Sequence, residues 1–93
     1  MAKNKKIFDV IFREKPVMML VELKNSQGNQ TEMYASTLAK RVDCTYSHVV
    51  KILQEMNKSG IVSFEKQGRL KILTLTKKGQ EIAESLDKVR NVL

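Results

Sequence analysis

One stretch of the sequence places polar and basic side chains at intervals that bring them to the same side of a helix. Between Tyr46 and Lys58, residues Ser47, Lys51, Gln54 and Lys58 follow one another in steps of four, three and four. Lysine ammonium groups bind phosphate oxygens, and serine and glutamine side chains form hydrogen bonds at the edges of bases. This spacing indicates a helical surface that can contact a polyanion, although lysine and glutamine are also ordinary residues of a solvated surface.

The opposite side of the same stretch is apolar. Its residues follow the i, i+3, i+4, i+7 pattern of a helix that buries one face: Val49, Ile52, Leu53 and Met56. Thr45 is suited to cap the first turn of this helix, because its hydroxyl can accept a hydrogen bond from a free backbone N–H. Gly60 favours the end of a helix. We therefore predict a helix over residues 46–58.

A shorter helix is predicted just before it, over residues 35–42, from the apolar pair Leu38 and Val42. The connecting residues Asp43, Cys44 and Thr45 include side chains that bond to the backbone and interrupt helices. Two helices joined by a short turn form a helix-turn-helix arrangement.

The residues that precede this motif are predicted to contain one further helix, a loop and a short strand. Pro16 favours the first turn of a helix and disfavours helical backbone in Lys15, so we predict a break there and a helix over residues 16–24. The polar, glycine-containing residues 25–30 predict a surface loop. Residues 31–34 are predicted to supply a short edge strand.

Residues 7–12 fit both a helix and a strand. A helix is supported by Ile7, Val10 and Ile11, and a strand by Phe8, Val10 and Phe12. We favour the helix. Residues 1–6 form a lysine-rich tail.

The residues after Gly60 alternate between apolar and polar side chains, which is typical of strands. Val62 and Phe64 are expected to face one way in the first strand, and Leu70 and Ile72 share a side of the second. A tight turn at Gln67 and Gly68 would join the two strands into a hairpin. The tip of this hairpin would be basic, since it contains Lys66, Arg69 and Lys71.

The last helix is expected to begin after Thr76, whose hydroxyl can cap it. Its apolar residues recur in steps of four, three and four: Ile82, Leu86, Val89 and Leu93. Such a stripe can pack onto its own domain or pair with a second subunit. We favour the pairing and predict a homodimer.

Charge and composition restrict the classes of partner. The net charge is +7, and residues 40–78 carry nine basic side chains against three acidic ones, a net of +6. This concentration indicates a polyanionic partner. An anionic membrane is disfavoured, because no helix combines a broad aromatic or leucine face with a lysine-rich one. No signal peptide or membrane span is indicated, so a cytoplasmic protein is expected, associated with the nucleoid if the source is a prokaryote.

The sequence contains no recognisable catalytic or metal-binding pattern. Ser47 and His48 are neighbours on a helix and point about 100° apart, and no acid is placed to orient the imidazole. Cys44 and His48 are four residues apart, but one cysteine provides neither a disulfide nor a zinc cluster. A glycine-rich nucleotide loop is also absent from the sequence. We expect neither an enzyme nor a cofactor.

The order of these elements resembles a winged helix-turn-helix, a mostly helical α+β fold with a three-helix core and a small antiparallel hairpin, the wing. The segments YASTLAKRVDCTYSHVVKILQEMNKSGIV and LTLTKKGQEIAESL are similar to regulators of the multiple-antibiotic-resistance-regulator type and, more closely, to compact archaeal winged-helix proteins that dimerise through a C-terminal helix. The likeness covers residues 16–86. It implies one domain over residues 1–93, made of a tail (1–6), an N-terminal segment (7–15), core and wing (16–75) and a C-terminal helix (76–93).

The resemblance implies sequence-specific binding of double-stranded DNA by a homodimeric transcription regulator, with helix 46–58 in the major groove and wing 66–71 on the backbone. The residues expected to contact DNA are Thr45, Tyr46, Ser47, His48, Val50, Lys51, Gln54, Lys58, Lys66, Arg69 and Lys71. Two alternatives stay open: a chromatin-type protein that binds DNA without sequence preference, and a winged-helix module that binds another protein. Binding of a small-molecule effector also stays open.

Overall fold

The helices and the hairpin follow one another in the predicted order. The computed structural model describes residue 7 and residues 10–29 and 32–92. The elements with both ends inside these residues are α1 (Glu14–Gly28), α2 (Ala35–Arg41), α3 (Tyr46–Lys58), β1 (Val62–Gln67), β2 (Leu70–Leu75) and α4 (Lys77–Val92). Ile7, Val10 and Ile11 also have helical backbone, as favoured from the sequence. The mostly helical α+β class is therefore confirmed.

Helix α1 begins earlier than predicted. Glu14 and Lys15 are already helical, so the break lies at Phe12 and Arg13 and not at Lys15. Pro16 is the third residue of α1, in the first turn, where the N–H that proline lacks would have no partner within the helix. The proline is therefore compatible with two helical residues before it.

Helix α1 also ends later than predicted, at Gly28, so the prediction of a loop at residues 25–28 was wrong. Ser26 is buried and donates a hydrogen bond from Oγ to the carbonyl of Leu23, 2.9 Å away. The side-chain oxygen of Gln27 accepts a hydrogen bond from the backbone N–H of Leu75. These contacts stabilise a helical turn whose residues have only modest helix propensity.

The predicted edge strand is also wrong for the part that the structure describes, residues 32–34. Their backbone forms no ladder, and the sheet of the described chain consists of β1 and β2. One hydrogen bond does reach the sheet, from the N–H of Leu73 to the carbonyl of Met33 at 2.8 Å. Met33 is buried, and Tyr34 then becomes the N-cap residue of α2. The chain turns into that helix too soon for a third strand to form.

The turn between α2 and α3 has the predicted chemistry. Asp43 takes a positive φ of 53°, a conformation that aspartate tolerates better than most residues. The backbone N–H of Cys44 donates to the carbonyl of Ala39 at 2.9 Å, and Thr45 Oγ1 accepts from the N–H of His48 at 3.3 Å. Helix α3 has the predicted bounds, and its predicted apolar face, Val49, Ile52, Leu53 and Met56, is buried.

The hairpin pairs β1 with β2 in antiparallel register. Gln67 lies opposite Leu70, which leaves Gly68 and Arg69 as a two-residue loop, one position later than the predicted turn at Gln67 and Gly68. Gly68 has a φ of 62°, which glycine adopts without strain. Lys66 lies opposite Lys71, so the two ammonium groups extend from the same face of the hairpin.

The start of α4 is fastened to the turn that follows α3. Thr76 Oγ1 donates to the carbonyl of Gly60 at 2.6 Å and accepts from the N–H of Gly79 at 3.0 Å, so the predicted cap is confirmed. Gly79 is buried, and a Cβ at this position would overlap the carbonyl oxygen of Ile61. The close packing of two backbones therefore requires glycine here.

Helix α4 then packs along α1. Ala83 is fully buried, and the ammonium group of Lys24 in α1 lies 3.0 Å from the carboxylate of Asp87. The hydrogen bond from Lys24 lowers the pKa of Asp87. This ion pair adds a polar contact to the packing of α4 on α1.

Candidate nucleic-acid interface

Helix α3 presents a polar face to solvent opposite its buried side. Ser47, Lys51, Gln54 and Lys58 are all exposed, as their spacing predicts. We refer to these four residues as the polar face of α3. Because the helix is held to the core by its other side, this face is free to enter a groove without local unfolding.

The first turn of α3 adds further side chains to this surface. Thr45, Tyr46 and His48 are exposed, with Tyr46 retaining 59% of its surface, while Val50 is partly buried. The Thr45 cap satisfies one of the free N–H groups of the turn. The predicted residues of α3 are thus grouped at one side of the helix and around its N-terminal end.

The tip of the hairpin carries the three predicted cations. Lys66, Arg69 and Lys71 are exposed. The ammonium group of Lys71 lies 5.8 Å from the centre of the Phe64 ring, within the range of a cation–π interaction. This contact limits the freedom of Lys71 while leaving its charge accessible.

Helix α3 and the hairpin border a common cleft of about 320 Å³. Tyr46 and Val50 line it from α3, and Arg69 and Lys71 line it from the hairpin. The fold therefore brings the predicted residues of α3 and those of the hairpin together around this cleft. Residues that are about twenty positions apart in sequence thus line the same cleft.

Two hydroxyl-bearing residues of this cleft were not predicted as contacts from the sequence. Tyr34 and Ser36 line it from the start of α2. The hydroxyl of Tyr34 donates to the carboxylate of Glu32 at 2.7 Å, and this hydrogen bond raises the pKa of Tyr34. Neither residue belongs to a spacing pattern, so the sequence contains no signal that could have identified them.

A second depression, of about 570 Å³, borders the other side of α3. His48 and Lys51 line it together with Arg13 and Lys15 from the start of α1. Lys15 donates a hydrogen bond to the carbonyl of Val42 at 2.6 Å and so also holds the turn between α2 and α3. Arg13 was missed as a candidate contact, although the basic residues on either side of Glu14 were a possible signal.

The predicted stripe of α4 is divided between the core and the surface. Ile82 and Leu86 are half-buried against the core, whereas Val89 is 58% exposed. Leu93 lies outside the described residues. The structure contains a single copy of the chain, so the predicted interface of Ile82, Leu86, Val89 and Leu93 stays a prediction.

Cys44 is the other candidate site that the sequence contains. Cys44 is half-buried against the core. Within residues 7, 10–29 and 32–92, histidine, cysteine, aspartate and glutamate form no group of three or more that could hold a metal ion. None of the helices in these ranges has the length and apolar content needed to cross a bilayer.

The chain is similar in sequence and in structure to other proteins. No family model matches the chain. An uncharacterised protein from Archaeoglobus fulgidus is 27% identical over 84 residues, which cover 90% of this chain and 88% of the relative. The crystal structure of AF1382 from Archaeoglobus fulgidus is similar with a TM-score of 0.83 at 27% identity, covering 90% of this chain and 92% of that one.

Two solved structures of proteins with a described function are similar at lower identity. The MarR family transcriptional regulator SPO1453 from Silicibacter pomeroyi gives a TM-score of 0.75 at 23% identity, covering 98% of this chain and 66% of that chain. The homodimeric winged helix-turn-helix DNA-binding domain of Mb0332 from Mycobacterium bovis gives a TM-score of 0.71 at 15% identity, with coverages of 98% and 78%. The chain has a winged-helix fold.

In this winged-helix fold, α2 and α3 form the helix-turn-helix, and β1 and β2 form the wing. The predicted fold is thus confirmed by the arrangement of its elements and by the structural neighbours. The cleft of about 320 Å³ lies between the second helix of the motif and the wing.

Proposed function

We propose that this winged-helix protein is a transcription regulator that binds double-stranded DNA at particular sequences, with α3 in the major groove and the wing on the backbone. One observation carries the proposal: α3 and the cationic wing lie on either side of one cleft. The major groove is wide enough for a helix and displays a distinct hydrogen-bonding pattern for each base pair. The polar face of α3 has the donors and acceptors that such a pattern needs.

Charge supports the same proposal. The exposed cations of α3 and the wing are Lys51, Lys58, Lys66, Arg69 and Lys71. On α3, Glu55 is partly buried, and its carboxylate lies 3.9 Å from the Lys58 ammonium group. A surface with this excess of positive charge attracts the phosphate backbone of nucleic acid.

A homodimer is the second part of the proposal. A single winged helix reads few base pairs, and two copies can read half-sites about one helical turn apart. Val89 and Val92 of α4 are 58% and 86% exposed. A groove of about 550 Å³ lies beside the same helix, and its lining includes Ile11 and Leu86. The homodimeric Mb0332 domain supports such an assembly for this fold.

Fluorescence anisotropy would test DNA binding directly. The intact protein would be titrated against the DNA immediately upstream of its own gene and against random duplex of the same length. We expect tighter binding to the upstream DNA. Equal affinity would instead favour a chromatin-type protein, and absence of binding to any duplex would favour a protein partner.

Replacement of single contact residues should separate base recognition from backbone binding. Arg69→Ala is expected to weaken binding to all duplexes similarly and to reduce the slope of log affinity against log salt by about 1, because a wing contacts phosphates. Gln54→Ala is expected to remove roughly 1–3 kcal/mol of discrimination at one base pair. Both residues are exposed, so folding should be preserved. Uniform weakening by both variants would contradict base recognition by α3.

The dimer can be tested at Val89. Because this side chain is 58% exposed, Val89→Glu should leave the fold intact while placing a charge in the proposed interface. We expect sedimentation equilibrium to shift towards monomer, and affinity for a palindromic site to fall much more than affinity for one half-site. Leu86 is less suitable for this test, because it also packs against the core.

Lys88→Glu is the matched control for this experiment. Lys88 is exposed on α4 next to Val89, but it lies outside the apolar stripe. The control should remain dimeric. A dimeric Val89→Glu variant would place the interface elsewhere on the molecule.

A further inference from the structure

Two side chains at the start of α4 bind the backbone at the end of α3. Lys78 donates a hydrogen bond from Nζ to the carbonyl of Ser59, the C-cap residue of α3, at 3.0 Å. The hydroxyl of Thr76 lies 2.6 Å from the carbonyl oxygen of Gly60 and 3.0 Å from that of Ile61. We refer to these contacts, made by Thr76 and Lys78, as the clasp.

The clasp is reinforced by contacts between the two backbones. The N–H of Thr76 donates to the carbonyl of Ile61 at 3.0 Å. Gly79, one turn into α4, leaves no room for a Cβ against the same carbonyl oxygen. The carbonyls at the C-terminal end of a helix have no donors within that helix, so donors from elsewhere in the chain are favourable there. The first turn of α4 is therefore held directly against the end of α3.

The two helices that the clasp connects have different packing partners. Helix α3 packs mainly on α2 and β1, whereas α4 packs mainly on α1. The clasp thus gives a direct connection between the helix proposed to read base pairs and the helix proposed to pair two copies. In a dimer formed through α4, the separation and the angle between the two copies of α3 depend on how each α3 is held against its own α4.

We infer that the clasp sets the spacing and the relative orientation of the two copies of α3, so that Thr76 and Lys78 are positioning residues for the recognition of paired half-sites. The inference rests on the proposed function and adds to it the residues that determine the separation of the half-sites. One additional base pair between half-sites shifts one of them by about 3.4 Å and rotates it by roughly 35°. A stiff connection between α3 and α4 cannot follow both changes.

A series of palindromic duplexes tests this inference. The two half-sites of the bound upstream sequence would be moved one or two base pairs closer together or further apart, and affinity would be measured for each duplex. We expect the wild type to lose about tenfold in affinity for a change of one base pair. In Thr76→Val/Lys78→Met, which removes both donors at similar side-chain volume, the loss is expected to be about twofold.

Two variants with retained function serve as controls. Thr76→Ser/Lys78→Arg keeps a hydroxyl and a cationic donor at the same positions and should reproduce the wild-type dependence on spacing. Lys77→Met removes the neighbouring exposed lysine, which lies outside the clasp, and should also leave this dependence unchanged. It matches the loss of one positive charge in the test variant.

The single variant Lys78→Met provides the same test if the double variant does not fold. Lys78 is exposed, and the Thr76 cap of α4 stays in place in this variant. The loss for a change of one base pair is expected to fall to about fivefold. Affinity for an isolated half-site should stay within about twofold of the wild type, because neither positioning residue is proposed to contact DNA.

The outcomes distinguish this inference from the proposed function. A wild type that binds all spacings equally, or a variant without the clasp that keeps the wild-type dependence on spacing, would overturn the inference while DNA binding stands. An equal loss of affinity at every spacing and at the isolated half-site would also overturn it, since Thr76 and Lys78 would then act on stability or on phosphate contact. Failure of the wild type to bind any duplex would overturn the proposed function and this inference with it.

Discussion

Replacing Gly79 with alanine is expected to lower the free energy of unfolding by about 3 kcal/mol, near the upper end of the usual cost of overpacking. The new Cβ would overlap the carbonyl oxygen of Ile61 and lie 2.9 Å from its carbonyl carbon. Both groups belong to the backbone, so neither can move aside as a flexible side chain would. Helix propensity predicts the opposite sign, because alanine is favoured over glycine within a helix by about 1 kcal/mol.

Thermal and urea denaturation would measure this effect. For a domain of this size, a loss of about 3 kcal/mol corresponds to a decrease in melting temperature of roughly 12–24 °C. Gly28→Ala is the matched control, because Gly28 has an ordinary φ and no atom lies within 4 Å of the added Cβ. The control should be neutral or slightly stabilising. A Gly79→Ala variant as stable as the wild type would show that α4 can shift away from Ile61 at little cost.

DNA affinity is expected to fall by about 10³- to 10⁵-fold when salt is raised from 50 to 200 mM, if the dimer contacts six to ten phosphates. Lys51, Lys58, Lys66, Arg69 and Lys71 supply five exposed cations in each copy. If all five contact phosphates, log affinity should fall against log salt with a slope of about −4 to −5 per subunit. Anisotropy titrations at four or five salt concentrations would give this slope.

The double variant Lys66→Ala/Arg69→Ala should reduce the magnitude of the slope by about 2 per subunit, because each phosphate contact contributes about 0.9. Lys77→Ala is the matched control, since Lys77 is an exposed lysine at the start of α4, outside the cleft and the wing. It should leave the slope unchanged. A flat salt response of the wild type would contradict an electrostatic contact with the backbone.

The helix-turn-helix could be predicted from sequence because its determinants are local. Helix α3 has the predicted bounds because Thr45 caps it, Gly60 takes a positive φ just after it, and four apolar residues mark its buried side. Each of these signals lies within a few residues of the feature that it predicts. The same holds for the hairpin loop at Gly68, which was misplaced by one position only.

The errors have a common physical origin in contacts between residues distant in sequence. Residues 25–28 have the composition of a loop, yet Gln27 is bonded to Leu75 in the sheet. Met33 bonds to the sheet through one carbonyl without forming a strand. Tyr34 lines the same cleft as Arg69 of the wing, although the two residues are far apart in sequence. Local propensity contains no information about such pairs.

The apolar stripe of α4 illustrates a further limit of periodicity. Its spacing predicts one continuous surface, but the structure divides it between Ile82 and Leu86 at the core and Val89 in solvent. Periodicity identifies which residues share a side of a helix. What that side contacts depends on how far the helix extends beyond the core against which it packs.

The two-residue loop of the wing also determines how the length of this hairpin can change during evolution. Gln67 and Leu70 are the last paired residues, and successive pairs along a ribbon face opposite sides. Adding one pair at the tip would extend the ribbon by about 3.3 Å and turn the newest side chains to the other face, whereas two added pairs restore the original facing. Such additions leave the buried pair of Val62 and Leu75 untouched. A longer wing can therefore evolve without repacking the core, provided that residue pairs are added two at a time. The side chains at the tip then keep their original faces.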